Sequence, residues 1–524
     1  MGLWNLYFVL KLSLFFADLI DFHVWLNLAL ALALLVPVPA GIWRWLRLAV
    51  AIPVAVVLLY HDTRFPPFER LTAQAGYLQQ FSADYIMELL ARFIHIETVA
   101  ICLAVILASV IASRKLRLTS FVLLAIFPVV PLYQYVQNIG PVTIAGSSTG
   151  NGAGAGAGIA PPGATGKPDD QALSQSLAAF YKAQATRQVV MPAASGQAFD
   201  LIVLQVCSMA WDDLQLAGMD NNPLMQRFDL LFRQFNTATS YSGPAAIRLL
   251  RATCGQTPHS ALYEPVPADC HLFEALAGAG FEPRMQLNHD GRFGDMTTEI
   301  QRYGGLNVSP GSLEGLPVLG QAFDGTLIKD DYEVLSHWFR TRLQSPSQRV
   351  ALYYNTNSLH DGNHPVGSRK DANSAAGYAK RLHKLFEDLD RFMSELETSG
   401  RKVVLVVIPE HGAGSRGDRM QIPFMRENPS PAITLAPVGV RLIGMPKTGQ
   451  ATEITQPASY IDLAGLLRDI IRDNPYDGGT SVATLASSIG STPHVAENDG
   501  SVVVRYGPDY YLRYKDSAWT DYRY

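Results

Sequence analysis

The sequence predicts a multi-span α-helical membrane domain followed by an extracytoplasmic α/β sandwich domain, in which helices flank a central, mostly parallel sheet. Three observations predict this architecture. Long apolar runs fill the amino-terminal quarter, a stretch rich in Gly, Ala and Pro follows, and apolar β-rich runs then alternate with helical patterns. We therefore divide the 524 residues into a transmembrane domain at 1–138, a linker at 139–172 and a large extracytoplasmic domain at 173–524.

The composition favours a membrane protein and argues against a nucleic-acid partner. Only 17% of the residues are charged, compared with roughly 25% in an ordinary soluble protein. The formal net charge is −4, and the one short basic cluster lies at 114–117. A nucleic-acid-binding protein would need a larger and more concentrated basic surface.

The amino-terminal part contains about five apolar runs with the character of membrane spans. Residues 22–43 include no Lys, Arg, Asp or Glu, and a helix of this length crosses a hydrocarbon layer of roughly 30 Å. The other runs lie at 3–19, 45–60, 93–113 and 118–136. No small-residue cleavage site follows the first run, so we expect a retained span rather than a removable signal peptide.

The short basic loops predict the orientation of these spans. Arg44 and Arg47 separate the second and third runs, and the cluster at 114–117 separates the fourth and fifth. Basic loops stay in the cytoplasm, so the amino terminus is expected inside and the large domain outside. Residues 77–90, in the loop between the third and fourth runs, fit either an amphipathic helix at the membrane interface or a plain loop with one helix.

The linker is the segment least able to form a packed structure. It consists largely of Gly, Ala, Ser and Pro, which cannot bury enough side chain to offset the entropy of ordering the backbone. We expect it to let the large domain reach away from the membrane.

The domain after the linker alternates between strand and helix patterns. The predicted strands are 199–206, 350–354, 403–408 and 439–443, and the predicted helices are 224–235, 332–343, 375–396 and 460–471. Continuous apolar runs such as VVLVVI fit strands that are covered on both faces. Ligand sites in such sheets lie where strands end and helices begin, so we look for the chemistry there.

Chemically active side chains follow two of these strands. Cys207 comes directly after the strand 199–206, and Glu410 and His411 end the most hydrophobic strand of the domain. Ser242 precedes a Gly-Pro-Ala-Ala run that is typical of a helix start. A thiolate, a carboxylate, an imidazole and a hydroxyl would complete a four-coordinate zinc site.

Ser242 has a second possible role at the same position. The amino terminus of a helix binds phosphate readily, so a hydroxyl there can be a nucleophile whose target is held by backbone amides. The alternative for an isolated case is an ordinary capping Ser. Thr237, Thr239 and Ser240 share the loop, and a helix boundary shifted by about two residues would give the role to Ser240.

These features resemble the alkaline phosphatase and sulfatase superfamily, specifically its membrane-anchored phosphoethanolamine transferases. Within that group, the chain is similar over essentially its whole length to the bacterial cellulose phosphoethanolamine transferases that accompany a cellulose synthase. The similarity is carried by the five apolar runs, the glycine-rich linker and the motifs VCSMAWDDL, NTATSYSGPAAIRLLRATCGQ, NTNSLHDGN and IPEHGAG. The chain departs from the wider pattern at Cys207, where transferases that modify lipid A have a carboxylate, and at Glu410, which replaces the commoner Asp.

The resemblance implies an alkaline phosphatase-like fold and a zinc enzyme. Such an enzyme takes phosphoethanolamine from phosphatidylethanolamine and places it on the glucose 6-hydroxyls of nascent cellulose, through a covalent phosphoethanolamine-serine intermediate. The implied nucleophile is Ser242, and the implied Zn²⁺ ligands are Cys207, Ser242, Glu410 and His411. Whether a second metal binds stays open.

The resemblance also implies the surroundings of the reaction. Tyr241 and Arg426 correspond to substrate-binding positions, and His364 to an acid/base or substrate-binding residue. The implied location is the bacterial inner membrane, with the catalytic domain in the periplasm beside the membrane subunits of the cellulose synthase complex. The alternatives are a related periplasmic transferase, a phosphatase or sulfatase with another acceptor, and a non-catalytic membrane adaptor of that complex.

The other histidines lie outside the motifs that carry the resemblance, except for His360. His360 lies in the same polar turn as His364, and either could protonate the departing alkoxide or deprotonate the sugar. We expect structural roles for His259, His271, His289 and His337.

Two cysteines are expected to form a disulfide bond. Cys102 lies inside a predicted span, and Cys207 is assigned to zinc. Cys254 and Cys270 then remain in an oxidising compartment, so we expect a bridge between them that fastens the loop after the Ser242 helix.

Overall fold

The computed structural model describes residues 4–17, 20–39, 41–63, 96–113, 117–138, 158–160, 167–369, 371–447, 449–515 and 517–522. These residues form two compact units, one within 1–151 and one within 152–524. The predicted segment 77–90 lies outside the described residues.

The secondary structure of the first unit, over its described residues, consists of helices. Its helices are α1 (Trp4–Phe16), α2 (Val24–Leu35), α3 (Ile42–Asp62), α4 (Ile96–Ser113), α5 (Leu118–Leu124) and α6 (Val130–Asn138), and a π-helical turn at Ala125–Val129 joins α5 to α6. Each of the five predicted spans therefore contains helix. Among the described residues, only α3 is long and apolar enough by itself to cross a membrane, so the multi-span arrangement stays a prediction.

Apolar contacts between the helices are accompanied by one buried polar cluster. Phe8, Leu12, Ala31 and Val130 are among the buried residues of the apolar core of this unit. Polar residues of α1, α2 and α3 are buried beside it and hydrogen-bond to one another. Helices α1, α2 and α3 are thus held together by polar contacts as well as by apolar packing.

The second unit is an α/β domain built on a seven-stranded sheet. The strands of the domain are β1 (Asp200–Val206), β2 (Leu230–Asn236), β3 (Glu282–Leu287), β4 (Val318–Gln321), β5 (Leu327–Lys329), β6 (Val350–Thr356), β7 (Val403–Pro409), β8 (Leu435–Ile443), β9 (Thr452–Ile454), β10 (Val495–Asn498), β11 (Ser501–Tyr506), β12 (Asp509–Tyr514) and β13 (Thr520–Tyr522). The large sheet has the order β3-β6-β1-β7-β8-β2-β9. Only β8 runs against its neighbours, which confirms the predicted mostly parallel sheet.

The second unit also contains α-helices, among them those that cover the two faces of this sheet. They are α7 (Asp170–Gln184), α8 (Trp211–Leu216), α9 (Pro223–Arg227), α10 (Ser242–Leu250), α11 (Leu272–Gly278), α12 (Met296–Thr298), α13 (Asp331–Leu343), α14 (Ala375–Thr398), α15 (Pro431–Thr434), α16 (Tyr460–Asp473) and α17 (Val482–Ser488). Side chains of β1 alternate between two apolar cores: Val203 packs in one with α10 and α16, and Leu204 in the other with α13 and α14. The β1, β6 and β7 runs are continuous apolar sequences because both of their faces are buried.

The predicted helix 224–235 is wrong over most of its length. Only Pro223–Arg227 is helical, and Leu230–Asn236 is the strand β2. Leu231 packs on one face of the sheet, and Leu230 and Phe232 pack on the other. A short apolar run that is buried on both faces has no period that separates a strand from a helix.

Two further features were not predicted. Strands β10 to β13 form a separate antiparallel sheet, whose apolar side packs with Leu173 and Phe180 of α7. Ile159, within the predicted linker, is buried in this same cluster, and its amide donates to the carbonyl of Arg505 at 2.8 Å. The domain limits are otherwise untested and stay predictions.

Cys254 and Cys270 are bonded, as predicted. The bridge closes a loop that follows α10 and contains the carbonyl groups of Leu262 and Glu264, which accept hydrogen bonds from Arg251. This loop is therefore anchored both covalently and by a buried guanidinium.

Replacing both cysteines by serine is expected to lower the free energy of unfolding of the catalytic domain by about 3 kcal/mol, because the open loop gains conformations in the unfolded chain. Urea unfolding of the full-length protein, followed by tryptophan fluorescence, measures this change. A reductant should destabilise the wild type and leave the double variant unaffected. Equal stability of the oxidised and reduced wild type would contradict the prediction.

Candidate active site

The polar residues of the candidate site lie at the carboxyl ends of three neighbouring parallel strands. Strand β1 lies between β6 and β7. Cys207 follows β1, Asn355 lies near the end of β6, and Glu410 and His411 follow β7. Parallel strands end at the same edge of a sheet, so the pairing of the strands brings these side chains together.

Three of these side chains form a compact, buried cluster. The sulfur of Cys207, a carboxylate oxygen of Glu410 and an imidazole nitrogen of His411 lie within 4.8 Å of one another. Glu410 and His411 have no exposed surface, and Cys207 is 2% exposed. Strand pairing thus juxtaposes three of the predicted zinc ligands away from bulk water.

Ser242 joins this cluster from helix α10. The prediction placed Ser242 at the helix cap, but the cap residue is Tyr241 and Ser242 is the first residue of the helix. The Oγ atom of Ser242 lies 3.1 Å from Nε2 of His411 and 3.5 Å from Sγ of Cys207. All four predicted zinc ligands therefore meet in the folded chain.

The other hydroxyls of this loop are engaged elsewhere. Ser240 Oγ donates to the carbonyl of Arg426 and accepts from Nδ2 of Asn498 at 2.7 Å. Thr239 donates to Oδ1 of Asn498, and Thr237 donates to the carbonyl of Thr239. Among these candidates, Ser242 is the one whose hydroxyl contacts the cluster.

The protonation states of the cluster suit metal binding. Nδ1 of His411 lies 2.8 Å from the carbonyl oxygen of Gly412 and donates to it, which leaves the lone pair of Nε2 directed at Ser242. Burial lowers the pKa of His411 well below its usual range, so the imidazole is neutral. Burial, reinforced by the neighbouring Glu410 carboxylate, raises the pKa of the Cys207 thiol to about 12. A thiol in this setting ionises when a metal ion binds it.

Within the described part of the chain, one carboxylate oxygen of Glu410 has no hydrogen-bond donor, and this observation shows whether a metal ion fits the cluster. Oε1 of Glu410 accepts a hydrogen bond from Asn355, whereas Oε2 has no hydrogen-bond partner among the described residues and lies 3.8 Å from Nε2 of His411. A buried carboxylate oxygen without a donor is costly unless a cation is beside it. Together with a buried thiol and a neutral imidazole, this donor set fits zinc.

Asn355 fixes the orientation of Glu410. Its Nδ2 donates to Oε1 of Glu410 at 2.6 Å, and its Oδ1 accepts from Nε2 of His289 at 2.9 Å. The amide of Gly291 donates to Nδ1 of His289 at 3.1 Å, which defines a neutral His289. His289 was predicted to be structural, and it supports the site through this chain of hydrogen bonds.

Asp213 ties the two ligand-bearing loops together. Its Oδ2 accepts from the amides of Ala210 and Ala413, and its Oδ1 accepts from the amide and the hydroxyl of Ser415. Ala210 follows β1 and Ala413 follows β7, so a single buried carboxylate connects both loops. Burial raises the pKa of Asp213 to about 6.

The turn after Cys207 has an unusual backbone. Ser208 has φ of 62°, a left-handed conformation that costs a residue other than glycine roughly 1–3 kcal/mol. Two hydrogen bonds hold it: Tyr378 donates to the Ser208 carbonyl at 2.8 Å, and the Met209 amide donates to the His411 carbonyl at 2.6 Å. This turn directs the chain from β1 into α8.

Arg426 supplies positive charge beside the cluster. Its Nη1 donates to Oγ of Ser208 at 3.1 Å. Its charge opposes the rise in the pKa of Cys207 and adds to the fall in the pKa of His411. Tyr241, the other predicted substrate-binding residue, donates through its hydroxyl to Oε1 of Glu427 at 2.8 Å. Both residues border the cluster.

The two loop histidines differ in position. Nδ1 of His364 lies 2.8 Å from the carbonyl of Gln321, and the described contacts of His364 do not include the cluster residues. His360 stacks on Phe323. Burial lowers the pKa of His360 to about 3, and Arg426 adds to this effect. The charge of Arg426 thus acts on His360.

Sequence reasoning missed the supporting residues. Asn355 follows the predicted strand 350–354 just as Cys207 follows the predicted strand 199–206, and this signal could have identified it. Asp213 lies in the quoted motif VCSMAWDDL. Glu299 has no such signal. A methyl group on Gly243 would lie 1.8 Å from Oε2 of Glu299, so this carboxyl group packs against the first turn of α10. Burial raises its pKa to about 7.

The sequence matches two family models. One, described as the Cellulose biosynthesis protein BcsG C-terminal domain, matches residues 159–519. The other, described as the Cellulose biosynthesis protein BcsG N-terminal domain, matches residues 4–130. Together they account for most of the chain.

Two curated relatives have the same description as the family models. The chain is 38% identical over 541 aligned positions to the Cellulose biosynthesis protein BcsG of Escherichia coli strain K12 and, to the same extent, to that of Salmonella typhimurium strain LT2. Each alignment covers 99% of this chain and 96% of the relative. Among solved structures, the C-terminal periplasmic domain of EcEptC from Escherichia coli is 14% identical, with 64% of this chain and 97% of that chain covered and a TM-score of 0.41.

Substituting Asn355 by alanine is expected to weaken zinc binding by roughly tenfold to a hundredfold, because Glu410 loses the donor that orients it. Competition between the full-length protein and a zinc-chelating dye measures the affinity. Asn221→Ala, which removes an exposed amide far from β6 in the sequence, is the matched control. Unchanged affinity in a folded Asn355→Ala protein would contradict this role.

Proposed function

Because this chain belongs to the BcsG family of cellulose biosynthesis proteins, we propose that it transfers phosphoethanolamine from phosphatidylethanolamine to the glucose 6-hydroxyls of nascent cellulose. The observation that carries the proposal is the position of Ser242. Its hydroxyl lies at the amino end of α10 and within 3.5 Å of both Cys207 and His411. This is the arrangement expected of a nucleophile that attacks a bound phosphate.

The donor set defines where the cofactor would bind. Cys207, Glu410, His411 and Ser242 would hold Zn²⁺, which would supply the Lewis acidity that lowers the pKa of the Ser242 hydroxyl and would hold the phosphate. Asn355 and Asp213 keep the ligand-bearing loops in place through their hydrogen bonds. One metal accounts for these four ligands, and a second lies outside this proposal.

In the first half-reaction, Ser242 Oγ attacks the phosphorus of phosphatidylethanolamine. The bond from Oγ to phosphorus forms as the bond from phosphorus to the glycerol oxygen breaks. The hydroxyl of Ser242 gives up its proton in this step, and the glycerol oxygen takes up one proton, so that diacylglycerol leaves as a neutral alcohol. The amides of Ser242 and Gly243 precede the first backbone hydrogen bond of α10, from Ala245 to Tyr241. These amides and the Arg426 guanidinium offset the negative charge on the transferred group.

In the second half-reaction, a glucose 6-hydroxyl attacks the phosphoethanolamine-serine. The bond from phosphorus to Oγ breaks, Ser242 is restored, and the polymer carries the group. A histidine of the 360–364 loop handles the proton: His364 is the candidate from the family resemblance, and His360 is the candidate from its position near Arg426. Covalent storage lets one site meet a lipid donor and a polymer acceptor in turn.

The proposed setting is the bacterial inner membrane. We propose about five crossings with the amino terminus in the cytoplasm, which place the catalytic domain in the periplasm. The partners in this arrangement are the membrane subunits of the cellulose synthase complex. Support comes from the apolar helices of the first unit and from the basic residues at 44, 47 and 114–117.

The chemistry is tested by the intact mass of full-length protein after incubation in nanodiscs containing phosphatidylethanolamine and zinc. The wild type is expected to gain one phosphoethanolamine group. Ser242→Ala and chelated wild type are expected to gain none, whereas Ser240→Ala, the matched control, keeps the adduct. An adduct on Ser242→Ala would contradict the assignment of the nucleophile.

Adding a soluble cello-oligosaccharide to the loaded protein separates the candidate activities. A transferase moves the group to the sugar, which gains its mass. A hydrolase releases phosphoethanolamine to water instead, and a non-catalytic adaptor forms no adduct at all.

The topology is tested by cysteine labelling in intact cells. In a Cys102→Ser background, an impermeant maleimide is expected to label Thr63→Cys, which follows α3 on the periplasmic side. Pro39→Cys, which precedes α3, should react only after the inner membrane is opened. Labelling of Pro39→Cys in intact cells would contradict the proposed orientation.

A further inference from the structure

A second cluster of metal-ligating side chains lies in the membrane unit, apart from the candidate active site. His23 precedes α2, and His61 and Asp62 end α3. Nδ1 of His23 lies 2.7 Å from Oδ1 of Asp62, and Nδ1 of His61 lies 3.5 Å from the same oxygen. The three ligand atoms are within 4.8 Å of one another.

The chain's own donors hold the Asp62 carboxylate in one orientation. Lys11 lies 2.8 Å from Oδ2 of Asp62, and Nδ2 of Asn27 donates to the same oxygen at 2.7 Å. Oδ1 of Asn27 accepts from Lys11 at 2.9 Å. With Oδ2 occupied by two donors, Oδ1 is left to face the two imidazoles.

The burial of this cluster leaves its two histidines accessible and its carboxylate enclosed. Asp62 is fully buried and Lys11 is 1% exposed, so each offsets the charge of the other. His23 and His61 are half exposed, at 50% and 52%. An ion from the solvent can therefore reach the histidines, while the carboxylate behind them stays fixed.

Only one of the two imidazoles lies at a normal hydrogen-bond distance from Oδ1 of Asp62. The His61 distance of 3.5 Å to Oδ1 is long for a hydrogen bond, whereas His23 at 2.7 Å is close. The imidazole rings have centroids 4.3 Å apart and are inclined by 68°. A single cation among the three atoms would engage both rings and Oδ1 together.

We propose that His23, His61 and Asp62 bind a divalent transition-metal ion, with zinc as the favoured occupant. Two imidazole nitrogens and one carboxylate oxygen are a common zinc ligand set, and the exposed side leaves a coordination position for water. Lys11 and Asn27 would act as the residues behind the ligands that orient the carboxylate. The ion would link the turn before α2 to the end of α3, where the Asp21 amide already donates to the Asp62 carbonyl.

The test is the zinc content of the full-length protein in nanodiscs, measured by plasma mass spectrometry after equilibration with zinc alone. The background is a Cys207→Ala, Glu410→Ala double variant, which removes the ligands of the candidate active site. We expect one zinc per chain in this background and none when His61→Ala is added. His383→Ala, an exposed histidine of α14, should leave the content unchanged.

A second readout identifies the ligands directly. In the same Cys207→Ala, Glu410→Ala background, His23→Cys is expected to retain binding and, loaded with Co²⁺, to show a thiolate-to-cobalt charge-transfer band that the His23→Ala variant lacks. Asn27→Ala is expected to weaken the affinity roughly tenfold to a hundredfold. These measurements need no transferase activity, so their outcome is independent of the function proposed above.

The opposite results would overturn the proposal. One such result is an equal zinc content with and without His61, in protein that stays monodisperse. The cluster would then contain a hydrogen-bonded His23–Asp62 pair and no metal site. The absence of a charge-transfer band from folded His23→Cys in the presence of Co²⁺ would have the same meaning.

Discussion

The catalytic domain is organised around one constraint, which is that a carboxylate, an imidazole and a thiol are buried side by side at the ends of its two central strands. Burying an ionised carboxylate costs several kcal/mol unless donors or a cation surround it. Glu410 receives one donor from Asn355 of β6 and has His411 beside its other oxygen. The sheet, α8 and α10 therefore all lie beside this one buried cluster. The loops that follow β1 and β7 have little conformational freedom as a result.

The rigidity of that volume comes from hydrogen bonds between distant parts of the chain. Asp213 joins two loops that are about two hundred residues apart in sequence. Ser208 keeps a left-handed backbone because Tyr378 and the neighbouring His411 carbonyl hold the turn. In a preorganised site of this kind, the free-energy cost of the strained backbone is met when the chain folds. Little rearrangement is then left for the reaction itself.

The two units surround a buried carboxylate with the same pattern of contacts. In each, side chains of the protein occupy one oxygen and leave the other facing imidazole: Asn355 does this for Glu410, and Lys11 with Asn27 does it for Asp62. The two clusters differ in access, since Glu410 and His411 are fully buried whereas His23 and His61 are half exposed. The first therefore suits a retained cofactor beside a substrate, and the second an ion that exchanges with solvent.

The sequence by itself determined the features that depend on local pattern and composition. These are the strands that are followed by Cys207 and Glu410, the helix start beside Ser242, the mostly parallel sheet and the Cys254–Cys270 bond. It could not separate a strand from a helix at 224–235, because burial on both faces removes the period. Only the tertiary structure decided that Ser242 rather than Ser240 contacts the cluster, and that Asn355, Asp213 and Glu299 support it. Those choices depend on contacts between residues far apart in the chain, which strand pairing and packing create and no local pattern records.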